Sequence, residues 1–221
     1  MKKIVAVNAS PRIGWNTALL VQSAAEGAQE SGAQVEMVNL YRVGQFTGCL
    51  SCFGCKREPN QGRCVVQDGL APVLENIRQA DGLILGTANY LGSATAGFLS
   101  LYERLIFQSL TYNREHPCCN SHKIPVLFIM TSNAPETSYA PDTQYGQMVD
   151  RYIKTLCTFV GPTKMLIYGD TMQVTDYSIY DWTLFDAAHK YTQRSKILPQ
   201  KQAQAKRMGA QLLEGFCTVN E

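Results

Sequence analysis

Near its start the chain reads Val5-Ala6-Val7-Asn8-Ala9-Ser10-Pro11-Arg12-Ile13-Gly14-Trp15-Asn16-Thr17, an apolar strand that runs into a polar turn. A helix-forming stretch over residues 18–25 follows at once. The first turn of a helix presents unpaired backbone N–H groups and the positive end of a dipole, which suit a phosphate. Because the stretch lacks the glycine patterns of dinucleotide and P-loop sites, it predicts a site for the terminal phosphate of a mononucleotide.

Side chains of the same turn support this prediction. Ser10, Asn16 and Thr17 can donate hydrogen bonds to a phosphate, and Arg12 adds a positive charge with a fork of N–H donors. The alternative interpretation is an ordinary strand–turn–helix connection in which Ser or Asn caps the helix.

The composition indicates one α/β domain. The chain has 221 residues, of which 45% are hydrophobic, enough for one sizeable core. With a net charge of +2, interspersed charges and no apolar run of the ~18–20 residues that span a bilayer, we expect no nucleic-acid or membrane partner. Met1 leads into a strand without the apolar segment of a signal peptide, which predicts a cytoplasmic protein. Its eight cysteines should then be reduced, metal-bound or catalytic.

Strand-like runs alternate with helical patterns, which predicts parallel strands joined by right-handed crossovers. The runs cover residues 4–7, 35–40, 82–86, 125–130 and 165–168. Helices are predicted near residues 17–31, 69–80, 95–110, 144–159, 183–195 and 200–216. We therefore expect residues 1–221 to form a single domain around one open sheet covered on both faces, with a cysteine-rich loop over 48–68 and a C-terminal helical extension over 183–217.

In such a sheet, ligands bind at the carboxyl ends of the strands. The loops that begin at Ser10, Thr87 and Thr131 should therefore meet at one site. Small residues in the second loop let the backbone approach a flat ligand, Tyr90 offers a ring face, and polar groups in the third loop can hydrogen-bond to a heterocycle. The ligand-binding residues predicted in these two loops are Thr87, Ala88, Asn89, Tyr90, Leu91, Gly92, Thr131, Ser132 and Asn133.

The chain resembles the NADPH-dependent FMN reductases of the flavodoxin-like superfamily, and among them the iron–sulfur flavoproteins. The matching pieces are residues 8–17, 89–93, the Phe98…Leu101-Tyr102-Glu103-Arg104 helix and the cysteine-rich segment 49–68. The resemblance implies a flavodoxin-like three-layer sandwich whose five-stranded parallel sheet has the order 2-1-3-4-5, with FMN at its carboxyl edge. It implies that Ser10, Arg12, Asn16 and Thr17 hold the FMN phosphate, while residues 89–92 and 131–133 flank the isoalloxazine ring.

The cysteines carry a second chemical signal. Cys49-x2-Cys52-x2-Cys55 places three thiols in one short loop, and Cys64 follows. Thiolates that converge in this way can hold a [4Fe–4S] cluster, although the last gap is longer than in bacterial ferredoxins. A tetrahedral zinc site and a metal-free loop of small apolar thiols are the alternatives. Cys157, in an apolar helix, is predicted to lie in the core.

A flavin performs hydride and single-electron chemistry itself, so the absence of an acid–base dyad from the sequence is consistent with a flavoenzyme. The resemblance implies an oxidoreductase that passes electrons from NAD(P)H, or from a reduced carrier, to a quinone, a nitro or azo compound, or an electron-carrier protein. It also implies a homodimer or homotetramer. Two other interpretations are a non-enzymatic flavin electron carrier, which the pI near 8.1 disfavours, and a cysteine-loop metal or redox sensor on a flavodoxin scaffold.

Overall fold

The first apolar run forms strand β1 (Lys3–Asn8), which lies inside a parallel sheet because its side chains are buried on both faces. The computed structural model of the protein describes residues 1–214. The other strands are β2 (Gln34–Asn39), β3 (Gly82–Tyr90), β4 (Ser93–Ala94), β5 (Val126–Thr131) and β6 (Thr163–Tyr168). The main sheet has the order β2-β1-β3-β5-β6, and the short β4 pairs only with β3. The predicted 2-1-3-4-5 order is therefore confirmed once β4 is set aside.

Strand β3 is longer than the sequence predicted. The prediction that a loop begins at Thr87 is therefore wrong. The strand continues to Tyr90 and turns back into β4, with Asn89 opposite Ala94 and Tyr90 opposite Ser93. Leu91 and Gly92, with φ of 54° and 79°, form the turn between them. The main-chain pairing of this hairpin extends the strand past its apolar run, where the side-chain pattern gives no signal.

Helices cover both faces of the sheet, as expected. Helices α1 (Asn16–Glu30) and α6 (Leu198–Ala210) bury one face, and α2 (Leu70–Arg78), α3 (Ala96–Ser109) and α4 (Gln144–Phe159) bury the other. Thr95 and Thr143 cap α3 and α4 by accepting hydrogen bonds from Phe98 N and Gly146 N. None of the helices within residues 1–214 has the length and apolarity needed to cross a membrane.

The C-terminal extension differs from its predicted bounds. Residues 183–186 are not helical, because the Asp186 side chain accepts a hydrogen bond from His189 N and starts helix α5 (Ala187–Thr192) there. A π-helical turn over Gln193–Ile197 then joins α5 to α6. Residues 215–217 of the predicted extension, including Cys217, lie outside the described residues.

The predicted core position of Cys157 is also wrong. Cys157 is exposed on α4, whereas Met148, Val149 and Leu156 form the buried side of that helix. A helix rich in apolar residues still has a face toward solvent. Only the rotation of the helix against the sheet decides which residues lie on that face.

Close backbone contact joins α1 to α6. A Cβ atom on Gly209 would lie 1.9 Å from the carbonyl oxygen of Ala24, and one on Gly27 would lie 1.9 Å from that of Lys206. The two glycines therefore let the helices approach more closely than any other residue would allow.

We predict that Gly209→Ala destabilises the protein. Alanine should gain about 1 kcal/mol of helix propensity over glycine, but overpacking of this kind costs about 1–3 kcal/mol. Urea unfolding followed by circular dichroism measures the difference. Gln200→Ala, at an exposed position of α6, is the control and should stay within about 0.5 kcal/mol of wild type. A Gly209→Ala protein more stable than wild type would contradict the close contact.

Candidate functional site

A cleft lies at the carboxyl edge of the sheet, where β1, β3 and β5 end. Most of the residues predicted from sequence line it together: Ser10, Arg12, Asn16, Thr17, Ala88, Asn89, Tyr90, Thr131, Ser132 and Asn133. The cleft holds about 190 Å³ and is open to solvent. The three predicted regions therefore meet at one place, as the rule for parallel sheets requires.

Three predicted residues do not line this cleft. Thr87 is buried, and its hydroxyl accepts a hydrogen bond from Thr95 N at 3.2 Å, which closes the base of the β3–β4 hairpin. Leu91 is fully exposed at the hairpin tip, next to Gly92.

The start of α1 is open toward a ligand. Its N-cap residue is Trp15, whose side chain accepts no hydrogen bond from the first turn. The alternative in which Ser or Asn caps this helix is therefore wrong. Ser10 instead accepts a hydrogen bond from Arg12 N at 3.3 Å and so shapes the turn before the helix. The uncapped N–H groups and the dipole leave this corner ready for an anion.

Two guanidinium groups add positive charge at the same corner. The Arg12 and Arg194 guanidinium carbons lie 4.1 and 4.8 Å from the centroid of the Trp15 ring. Neither arginine forms an ion pair with any residue in the range 1–214. Burial, together with the charge of Arg194, lowers the pKa of Arg12 from its ordinary value, although nearby Tyr90 opposes the shift. A bound anion would relieve the repulsion between the two cations.

A fourth segment, which sequence reasoning missed, completes the cleft. This segment is the chain just after β6, of which Thr171, Met172 and Gln173 line the cleft. Trp15, from the turn before α1, lines it too. Asn16 Nδ2 donates to Met172 O at 2.9 Å, and Arg12 Nη1 donates to Gln173 O at 2.5 Å. The rule that selected the loops after β1, β3 and β5 would have found this segment if applied to β6 as well.

Asn16 is engaged by the protein at both ends of its amide. Its Nδ2 donates to Met172 O, and its Oδ1 accepts a hydrogen bond from Arg194 at 2.8 Å. Asn16 therefore joins α1 to the segment after β6, while Arg12 and Thr17 keep polar groups at the cleft.

The four cysteines predicted as metal ligands surround a second, mainly apolar cavity. Cys49, Cys52, Cys55 and Cys64 all line it, with Phe53, Val65 and Phe107 among their neighbours. In the described part of the chain, however, no three His, Cys, Asp or Glu side chains are grouped so as to hold a single metal ion. Burial raises the pKa of the Cys55 thiol, against the opposing effect of adjacent Lys56.

Arg104 of α3 connects this loop to the core. Its guanidinium is 1% exposed and donates to both carboxylate oxygens of Asp68 at 2.7 Å, to Val66 O at 3.0 Å and to Thr47 O at 3.3 Å. It also lines the cysteine cavity, and its Nε is the one buried side-chain nitrogen or oxygen without a partner among residues 1–214. An unsatisfied buried donor costs about 1–3 kcal/mol, so an acceptor atom in the cavity would be stabilised there.

The fold and the cleft define a flavodoxin-like α/β protein with an anion-receptive corner at its sheet edge. Residues 2–147 match the family model described as NADPH-dependent FMN reductase, and the chain belongs to that family. The chain is 33% identical over 102 residues to an iron-sulfur flavoprotein from Methanocaldococcus jannaschii, covering 46% of this chain and 51% of that protein. It is 30% identical over 104 residues to an iron-sulfur flavoprotein from Methanosarcina thermophila, covering 47% of this chain and 52% of that protein. The chain thus spans about half the length of the curated relatives it matches.

Solved structures share the fold over nearly the whole chain. An NAD(P)H:quinone oxidoreductase from Methanothermobacter marburgensis superposes with a TM-score of 0.67 and 17% identity, over 96% of this chain and 98% of the other. An FMN-dependent NADH-azoreductase from Bacillus anthracis, in complex with FMN, superposes with a TM-score of 0.65 and 12% identity, over 96% of this chain and 100% of the azoreductase. At these identities the likeness establishes the architecture.

We predict that Asp68→Asn destabilises the protein by about 3–5 kcal/mol at pH 7, because it leaves Arg104 buried without its counter-charge. Burial alone would raise the pKa of Asp68, but hydrogen bonds from Arg104 and from the backbone outweigh it, so the pKa is lowered. A carboxylate of this kind stabilises the fold above its unfolded pKa. The free energy of unfolding of the wild type should therefore fall as the pH drops below about 4, and that of Asp68→Asn should fall by a smaller amount over the same pH range.

Urea unfolding at pH 7 and at pH 3 measures both effects. Asp150→Asn is the matched control, because Asp150 forms an exposed pair with Lys154 on α4. Its effect should stay below about 1 kcal/mol. Equal losses in the two variants would show that the Arg104–Asp68 pair does not hold the loop.

Proposed function

We propose that the protein is an FMN-dependent oxidoreductase that passes electrons from NAD(P)H, or from a reduced carrier, to a quinone, a nitro or azo compound, or an electron-carrier protein. The observation that carries the proposal is the uncapped start of α1, facing a cleft at the carboxyl ends of the strands. Beside it lie Arg12 and Arg194, which form no ion pair within residues 1–214. Membership of the FMN reductase family supports FMN as the ligand.

The FMN phosphate would be held by Ser10, Arg12, Thr17 and the first-turn N–H groups of α1. The Thr17 hydroxyl lies 2.7 Å from that of Thr131, which ties this corner to the end of β5. Asn16 contributes by holding the segment after β6 in place rather than by a free amide.

The isoalloxazine would lie against residues 88–90 and 131–133. Because the cleft holds only about 190 Å³, a mononucleotide must extend over its rim, where half-exposed Tyr90 offers a ring face.

When bound, FMN would supply the redox chemistry, namely hydride acceptance from reduced nicotinamide and transfer of two electrons to an acceptor that also binds protons. The chain's own residues bind the phosphate, orient the ring and place donors beside it. The cleft is open to solvent, so an acceptor can approach without the opening of a lid. A quinone oxidoreductase and an azoreductase share this fold, which supports quinones and azo compounds as acceptors.

We further propose that Cys49, Cys52, Cys55 and Cys64 hold a [4Fe–4S] cluster. In such a cluster each thiolate binds a different iron, so the sulfurs surround a volume, whereas zinc requires all four at one ion. All four cysteines line one common cavity, which supports a cluster held by all four thiolates. The unpartnered Arg104 Nε would face its acceptor sulfurs, and the matched relatives are named iron-sulfur flavoproteins.

The remaining proposals concern assembly and location. A homodimer or homotetramer is supported by exposed apolar side chains after β6, namely Ile179, Tyr180, Trp182, Leu184 and Tyr191. A cytoplasmic location is supported by the free cysteines of the described chain.

We predict that Arg12→Ala weakens FMN binding roughly tenfold to hundredfold. A charge-assisted hydrogen bond contributes about 1.5–3 kcal/mol, and each 1.4 kcal/mol is a factor of ten in affinity. Quenching of FMN fluorescence during titration measures the dissociation constant. Arg207→Ala removes an exposed arginine of α6 and should leave it unchanged.

The same preparation tests the reaction. Wild type loaded with FMN should oxidise NADPH or NADH faster when a soluble quinone is present, and Arg12→Ala should show this only at higher FMN. FMN binding without any nicotinamide oxidation would support the carrier interpretation instead.

We predict that protein purified without oxygen shows a broad visible absorption of an iron–sulfur cluster in addition to the flavin bands. Changing the four loop cysteines to serine should abolish the broad absorption and leave the flavin bands. Cys157→Ser, at an exposed thiol of α4, should change neither. Iron and sulfide absent from the wild-type protein, with zinc in their place, would contradict the cluster.

A further inference from the structure

A buried lysine lies directly behind the cleft. Lys190 of α5 is only 5% exposed. Its ammonium donates to Asp170 Oδ1 at 2.5 Å, to Asn133 Oδ1 at 2.8 Å and to Asn133 O at 3.5 Å. Three acceptors match its three N–H bonds, so its position is fully determined by the chain.

Lys190 fixes the orientation of the Asn133 amide. An ammonium group can only donate, so the amide must turn its oxygen toward Lys190. The Gln173 side-chain amide donates to the same oxygen. The NH2 end of Asn133 is therefore directed away from Lys190, and nothing in residues 1–214 accepts a hydrogen bond from it. Asn133 lines the cleft, so this pair of N–H donors is available to a ligand.

The support for Lys190 comes from the chain just after β6. Asp170 has φ of 53°, a left-handed conformation that is uncommon for residues other than glycine. Its backbone N–H donates to Ala134 O at 2.8 Å, which anchors it to the loop that carries Asn133. Its second carboxylate oxygen accepts hydrogen bonds from His189 and Gln193. Asp170 thus places the ammonium and shares its charge with several donors.

We propose that Lys190 is a positioning residue, an inference that rests on the proposed function. Lys190 presents the Asn133 NH2 group to the electron-rich carbonyl and imine edge of bound FMN. The N–H donors favour FMN in its reduced state, because reduction increases the negative charge on that edge. Lys190 therefore tunes the flavin without contacting it, through the side chain of Asn133.

Lys190→Met tests this proposal through the two-electron midpoint potential of the bound FMN. Without the ammonium, the Asn133 amide is free to turn, and a cation is lost from behind the cleft. We expect a fall in potential of about 30 mV, which for a two-electron couple equals a tenfold loss of affinity for reduced relative to oxidised FMN. Lys196→Met removes an exposed charge from the π-helical turn and should leave the potential at its wild-type value.

Asn133→Asp is a second variant at an exposed position that does not threaten folding. Its carboxylate still accepts from Lys190 but offers no donor to the cleft, so the potential should fall again. Wild-type potentials in both Lys190→Met and Asn133→Asp, with FMN bound, would overturn the role of Lys190 and leave the proposed function intact. A wild-type protein that binds no FMN would overturn the proposed function and this inference with it.

Discussion

The arrangement of the cleft depends on the hydrogen bonds of the buried Asn8 side-chain amide, at the end of β1. Its Nδ2 donates to Asn39 Oδ1 at 3.1 Å, and its Oδ1 accepts from Ser10 N at 3.1 Å. In the strand register Asn8 stands opposite Asn39 and Gly86, so one side chain aligns the ends of β1 and β2 and starts the turn toward α1. A buried polar group must be hydrogen-bonded, and this requirement fixes the direction in which the chain leaves the sheet.

Helix α3 connects the cleft to the cysteine loop. At its start the Thr95 hydroxyl donates to Ala9 O at 2.6 Å, behind the turn that follows β1. Further along, Arg104 holds both ends of the cysteine loop, and the Gln108 side chain accepts a hydrogen bond from Cys64 N at 3.1 Å. The ammonium of Lys56 caps the end of the helix through the carbonyls of Phe107 and Leu110. The turn after β1 and the cysteine loop are therefore both held by helix α3.

Much of the fold could be predicted because its signals are local. The apolar runs of β1, β3 and β5 and the helices between them define a parallel sheet, and a parallel sheet gathers its loops at one edge. Ser10, Asn89 and Asn133 were therefore expected at the same cleft, although they are far apart in the chain. The expectation was wrong for Thr87, because a hairpin defined by main-chain pairing continued the strand. The separate prediction that Cys157 is buried, made from the apolar residues around it, was wrong because only packing sets which side of α4 faces solvent.

The sequence by itself determined the alternation of strands and helices, the polar turn before α1 and the grouping of four thiols in one loop, because periodicity and spacing act over a few residues. Tertiary structure alone decided which donors remain free. Asn16 is engaged at both ends by Met172 and Arg194, whereas Asn133 accepts from Lys190 through its side-chain oxygen and its NH2 group has no partner among residues 1–214. Such contacts join residues more than 50 positions apart. A hydrogen bond depends on the position of both partners in space, and a local pattern specifies only one of them.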